Sequence, residues 1–142
     1  MGYRRGVIDR RYDRALYQQL ADHLRNSVQQ GVYKSGAVLP SEGALARDYG
    51  VGRAVVRRAL AILRQEGLIT VVRGMNAVVR QPAERRQMIV HSGDELIGRM
   101  PTEYERIERH MDYGVPLLEI KRQSGIVELF AGDQVVITGP TP

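Results

Sequence analysis

Residues 39–80, LPSEGALARDYGVGRAVVRRALAILRQEGLITVVRGMNAVVR, hold two short helical patterns separated by a turn at Gly50 and Gly52, then two β-branched runs about an Arg-Gly tip. That order predicts a helix-turn-helix followed by a β-wing, an arrangement suited to reading DNA. In the second helix Val55, Val56, Ala59, Leu60 and Leu63 recur at three- and four-residue spacing and make one apolar stripe. Arg53, Arg57 and Arg64 fall four and seven apart on another face. One face packs and the other stays wet and positive.

Arg53 and Arg57 lie near the N-terminus of this helix, the end that enters the major groove in helix-turn-helix proteins. Arg suits bidentate contact with guanine O6 and N7. A single Arg on an exposed helix face is ordinarily just solvated. Here four, Arg53, Arg57, Arg58 and Arg64, occur within twelve positions directly after the turn, which argues for base or phosphate contact.

Working outward, residues 1–13 form a basic arm with four Arg and no periodicity. Such an arm can follow a minor groove or phosphates, although most termini of this kind are disordered. Leu16, Leu20, Leu24 and Val28, with Ala21, predict a first helix over residues 14–30, closed by Gly31. Residues 32–39 carry a Ser-Gly turn and a short strand able to join the wing sheet. Ser41 is placed to cap the next helix. The wing strands are expected at 68–72 and 77–80, with Arg73 and Gly74 at the tip and Asn76 as a residue that tolerates positive φ. Arg73 reads equally well as a minor-groove contact or a solvated tip.

Charge is divided along the chain. Residues 1–80 carry 14 Lys or Arg against 6 Asp or Glu, whereas residues 81–142 carry 7 against 10. Positive charge therefore travels with the helix-turn-helix half, as a phosphate footprint should. Cysteine is absent, excluding disulfides and thiolate metal sites. No apolar run approaches membrane-spanning length and residues 1–14 lack a signal-peptide core, so a cytoplasmic, nucleoid-associated protein with no membrane partner is expected. The histidines, at 23, 91 and 110, share no metal-ligand spacing. No phosphate loop, nucleophile elbow or paired-carboxylate motif occurs. The expectation is no metal, no cofactor and no catalysis.

Residues 17–79 resemble, almost end to end, the winged helix-turn-helix of the GntR superfamily of bacterial transcription regulators. The resemblance rests on the LPSE start, the GV-x-R-x-x-VR-x-AL core and the EGLI lead into the wing. It implies DNA contact by Arg53, Arg57 and the wing residues Arg73 and Gly74, with phosphate contacts near Ser41 and Glu42; Arg58, in the same cluster, joins the candidate set. Three departures stand out: Gly43 replaces the usual long polar residue, Gly52 the usual Ser or Thr, and Ala54 and Val55 replace Thr or Ser. The wing's second Gly is Asn76. These alter expected contacts and so bear on the operator rather than on the fold.

Residues 81–87 (QPAERRQ) read as a linker. Residues 88–142 predict a small domain: an extended run at 88–99, a helix opened by Thr102 with Glu105 completing a capping box, a buried edge of Tyr104, Ile107 and Met111, and strands at 116–122, 126–131 and 134–138. GRMPTEYERI and GVPLLEIKRQSG resemble the opening of the HutC-like (UTRA) effector domain. Only about the first half of that domain's length is present, so its ligand pocket does not carry over, and a small-molecule effector is left open. The fold class expected is α+β, a winged helix-turn-helix at 14–80 followed by a small dimerisation or effector domain at 88–142. A domain of this size gains from pairing with a second copy. The function expected is a dimeric, sequence-specific repressor on a short inverted repeat. A non-specific architectural DNA coater and a protein-interaction module are the alternatives.

Overall fold

A computed structural model describes residues 8–81 and 84–140. The fold is α+β and divides into two compact units, Met1–Gln81 and Pro82–Pro142. The first holds α1 (Leu16–Gln29), α2 (Glu42–Tyr49), α3 (Arg53–Gln65), β1 (Ile69–Thr70) and β2 (Val78–Val79). The second holds β3 (Arg86–Ile89), β4 (Glu95–Arg99), α4 (Glu103–Glu108), β5 (Leu117–Lys121), β6 (Val127–Ala131) and β7 (Val135–Thr138).

In the first unit the apolar stripes of α1 and α2 both close on α3. Leu20, Leu24, Leu45, Val56 and Leu63 lose all contact with solvent, and Leu39 and Ile69 almost all. Val55, expected in the stripe, sits at its margin, packed against the core but only partly buried. α1 also buries Ser27, whose hydroxyl donates to the His23 carbonyl at 3.0 Å, so no polar group is left unpaired there. Arg25 ties α1 to the end of α3 through Glu66 at 2.6 Å.

The wing ladder is shorter than the residues suggest. β1 and β2 pair over only two residues each, because Val72 leaves the ladder to close the tip, accepting a bond from the Met75 amide at 3.0 Å. The positive φ that the tip requires falls on Gly74 (78°), while Asn76 stays at negative φ. β2 gains a neighbour on its other side: Val38 bridges Val78, and the Leu39 amide donates to the Ala77 carbonyl at 2.8 Å. Of the basic arm, residues 1–7 lie outside the described residues. Ile8 rests against the core, and Arg10 Nη2 donates to the Gly50 carbonyl at 2.8 Å.

The second unit departs from expectation in three places. Residues 86–87, expected in the linker, open β3, which pairs in parallel with β7 from Arg86↔Val135 to Ile89↔Thr138. A parallel partner nearly fifty residues away leaves no local signature. The extended run expected at 88–99 is broken by a turn at Ser92 and Gly93 into β3 and β4, and β7 lies outside the antiparallel β4-β5-β6 sheet.

The third departure concerns α4. Its capping box is formed, Thr102 accepting from the Glu105 amide while Glu105 accepts from the Thr102 amide. Yet Tyr104 and Ile107, expected on a buried edge, are 73% and 59% exposed. Arg99 of β4 holds the helix in place, gripping Glu105 with two bonds at 2.7 and 2.8 Å, and within the helix Arg106 grips Glu103. Only Met111, just past the helix, enters the small core of Val115, Leu117 and Ala131.

Candidate nucleic-acid interface

The helix-turn-helix is built from its caps. The Ser41 hydroxyl accepts from the Ala44 amide at 3.1 Å and starts α2. Gly50, at φ 65°, ends that helix in the left-handed conformation that the absence of a Cβ permits. Two residues later Gly52 opens α3 with no side-chain cap, leaving the first amides of α3 without that partner. The turn is thus short, and α3 presents Arg53 and Arg57 from its first two turns, both exposed.

Ser41, Glu42, Gly43, Arg47, Arg53 and Gly74 share the lining of an open cleft of about 390 Å³ between the start of α2, α3 and the wing tip. Four of the residues singled out in the sequence therefore converge on one place. Arg57 adjoins it through Glu42, its Nε donating to the carboxylate at 2.9 Å. Arg57 is exposed and Glu42 half-exposed, so the pair orients Arg57 and adds little stability. Its remaining N–H groups stay available to a ligand. Arg73 stands on the exposed tip next to Gly74.

Arg58 goes elsewhere. Its guanidinium stacks on the Tyr17 ring of α1, 3.9 Å from the centroid. A position one residue past Arg57 turns about 100° around the helix, enough to move the side chain from the cleft towards α1.

The arginines of this unit sort by partner. Arg14 and Arg25 share Asp22, and Arg25 also binds Glu66. The hydrogen bond from Arg14, and then that from Arg25, hold the Asp22 carboxyl below its ordinary range, while Glu66 and then Asp22 raise Arg25. These charges stitch helices together. Arg53 and Arg73, by contrast, have no carboxylate partner among the described residues, so cationic charge at the cleft and tip is left unneutralised. That is what a polyanion requires.

Two cleft residues went unmarked in the sequence: Arg47, which reads there as a solvated charge, and Met75 at the tip. Their spacing carries no signal, since only the fold of the wing brings residue 75 opposite residues 41–43. Outside the cleft, Arg10 binds the carbonyl end of α2 at the turn itself.

Residues 16–79 match the model of the family described as bacterial regulatory proteins, gntR family. They are a GntR-family helix-turn-helix domain. The uncharacterized HTH-type transcriptional regulator RB1450 of Rhizobium meliloti is 32% identical over 135 residues, covering 83% of this chain and 55% of that protein. The Exu regulon transcriptional regulator of Escherichia coli is 38% identical over 90 residues, 63% of this chain and 35% of that protein. Among solved structures, a transcriptional antiterminator from Listeria monocytogenes EGD-e shares the fold, with a TM-score of 0.50 at 22% identity over 56% of this chain and 59% of that one. The chain spans about half, or less, of the length of these curated relatives. In this GntR-family domain Ser41 caps α2, which begins at Glu42, and Arg53 opens α3, with Arg57 one turn on.

Proposed function

We propose that the protein is a sequence-specific DNA-binding transcriptional regulator, acting in the cytoplasm as a dimeric repressor on a short inverted-repeat operator. The observation that carries this reading is the convergence of Ser41, Glu42, Arg53 and the wing tip on one cationic cleft in a GntR-family domain, with Arg57 alongside. α3 would enter the major groove with Arg53 and Arg57 towards the bases. Arg73 and Gly74 would meet the neighbouring minor groove or its phosphates, and Ser41 and Glu42 would lie near the backbone. Arg58 is withdrawn from this set by its stacking on Tyr17.

Residues 88–142 would supply dimerisation, with two winged heads meeting two half-sites on one side of the duplex. Exposed Tyr104, Ile107 and Met100 on and beside α4 support that role. The likeness of this segment to the opening of the HutC-like effector domain leaves a small-molecule effector open. Nothing in the cleft chemistry supports catalysis.

The test is binding, at about 150 mM salt, to the DNA upstream of the protein's own gene against a scrambled duplex of equal length. A regulator is expected to prefer its operator roughly a thousandfold over random DNA. Equal, salt-fragile binding to every duplex, including pools selected from random sequence, would instead establish an architectural coating protein.

A further inference from the structure

Gly43 is the second residue of α2, in backbone outside the left-handed region, where glycine is a poor helix former and no turn requires it. A Cβ built there would lie 2.9 Å from Arg53 Nη2, 3.4 Å from Cζ and 3.6 Å from Nε. The three nearest atoms thus belong to a single guanidinium. At Gly132 the corresponding Cβ would strike the Pro116 ring at 2.8 Å and its carbonyl oxygen at 3.0 Å, the signature of rigid packing. At Gly50 and Gly52, in the same motif, it would meet nothing within 4 Å. Gly43 alone among these makes room for one mobile charged group.

We propose that Gly43 is a specificity-determining residue: the space left by its missing side chain is the seat of the Arg53 guanidinium, and that seat sets the direction in which Arg53 meets DNA. No carboxylate among the described residues holds Arg53, so its aim depends on steric room rather than on an ion pair, unlike that of Arg57, which Glu42 fixes. A side chain at position 43 displaces the guanidinium without disturbing the core, because the atoms it meets are the end of a flexible, exposed side chain. The residue at 43 then changes what a residue at 53 reads, although the two lie on different helices.

This inference rests on the DNA-reading function proposed above. Its test is a double-mutant cycle in the full chain, with Gly43→Leu, Arg53→Ala and the double variant titrated against operator duplex and a panel of single-base variants, and Gly43→Ala as the smallest perturbation. Arg53→Ala is expected to lose roughly tenfold or more in affinity. Gly43→Leu should lose most of that although Arg53 is retained, Gly43→Ala should lose less, and the double variant should bind within about twofold of Arg53→Ala. The base preferences altered by Gly43→Leu should be those altered by Arg53→Ala. Melting temperatures at or above wild type would show that α2 still forms. Losses that multiply in the double variant, or a Gly43→Leu protein that binds and discriminates like wild type, would overturn the proposal. A wild-type protein with no preference among duplexes would instead sink the regulator reading, and the cycle run on random duplex at low salt would still report whether residues 43 and 53 are coupled.

Discussion

Three neighbouring arginines on one helix have three different surroundings. Arg53 lies over Gly43, Arg57 binds Glu42 and Arg58 stacks on Tyr17. Arg57→Ala together with Arg53→Ala is expected to abolish operator binding while the circular dichroism spectrum and oligomeric state stay unchanged. Arg58→Ala should behave differently: an exposed cation–π contact contributes about 0.5–1 kcal/mol, so the expected result is a small fall in melting temperature with operator affinity kept within about twofold. A large affinity loss for Arg58→Ala without destabilisation would return that residue to the interface. The sequence displayed all three as one basic cluster. It did not separate them, because the neighbour of each belongs to another helix: Gly43 and Glu42 in α2, Tyr17 in α1.

At the scale of elements, the helices themselves were legible, α4 with its capping box included, but the face that the chain buries was legible only for α1 and α3. α1 and α3 show their apolar stripes in the spacing of Leu20, Leu24, Val56 and Leu63, and the fold buries those residues. Truncating Leu24 or Leu63 to Ala should cost about 2–5 kcal/mol in the unfolding free energy of the head. α4 carries Tyr104 and Ile107 at similar spacing, yet periodicity records only that a face is apolar, not that the same chain covers it. What fixes α4 is Glu105, whose carboxyl is brought from 4.5 to about 2 by hydrogen bonds from Arg99 and then from the Thr102 amide. Asp94 is likewise brought from 3.8 to about 2, by the His91 amide first, then Arg122 and the Gln123 amide. A depressed folded pKa means that the folded state resists protonation. The stabilisation is therefore complete above the ordinary carboxylate range and disappears as pH falls towards about 2. Denaturant titrations between about pH 5 and pH 2 should show the second unit weakening over that interval, and Glu105→Gln should flatten the dependence. A slope unchanged in Glu105→Gln would show that the Arg99–Glu105 pair does not govern it.

For the molecule as a whole, the sequence placed the cationic head before the acidic remainder, and the structure places one unit on either side of residues 81 and 82. The pairing of β3 with β7 was hidden because parallel strands so far apart share no turn to announce them. The apolar surface around Met100, Tyr104 and Ile107 has consequences for assembly. If it joins two copies, Ile107→Glu should convert a dimer into a monomer in sedimentation velocity runs at micromolar concentration. Binding to a full inverted repeat should then weaken far more than binding to a single half-site, since linking two heads multiplies their effective concentration. A variant that remains dimeric would assign self-association to another surface.

The strand borders of the second unit carry a liability of their own. In the head, β2 lies between β1 and the bridge at Val38, so its backbone groups are engaged on both sides. Among the described residues of the second unit, β4 and β6 each have one strand neighbour in their sheet, as do β3 and β7 in theirs. Each therefore has a border without a strand partner, a template on which a further strand can grow, although on β3 the Ile89 carbonyl accepts from Arg122 at 2.8 Å. Warmed or concentrated protein should accordingly lose reversibility through this unit, with light scattering rising and infrared bands of intermolecular sheet appearing while the head's helical signal persists.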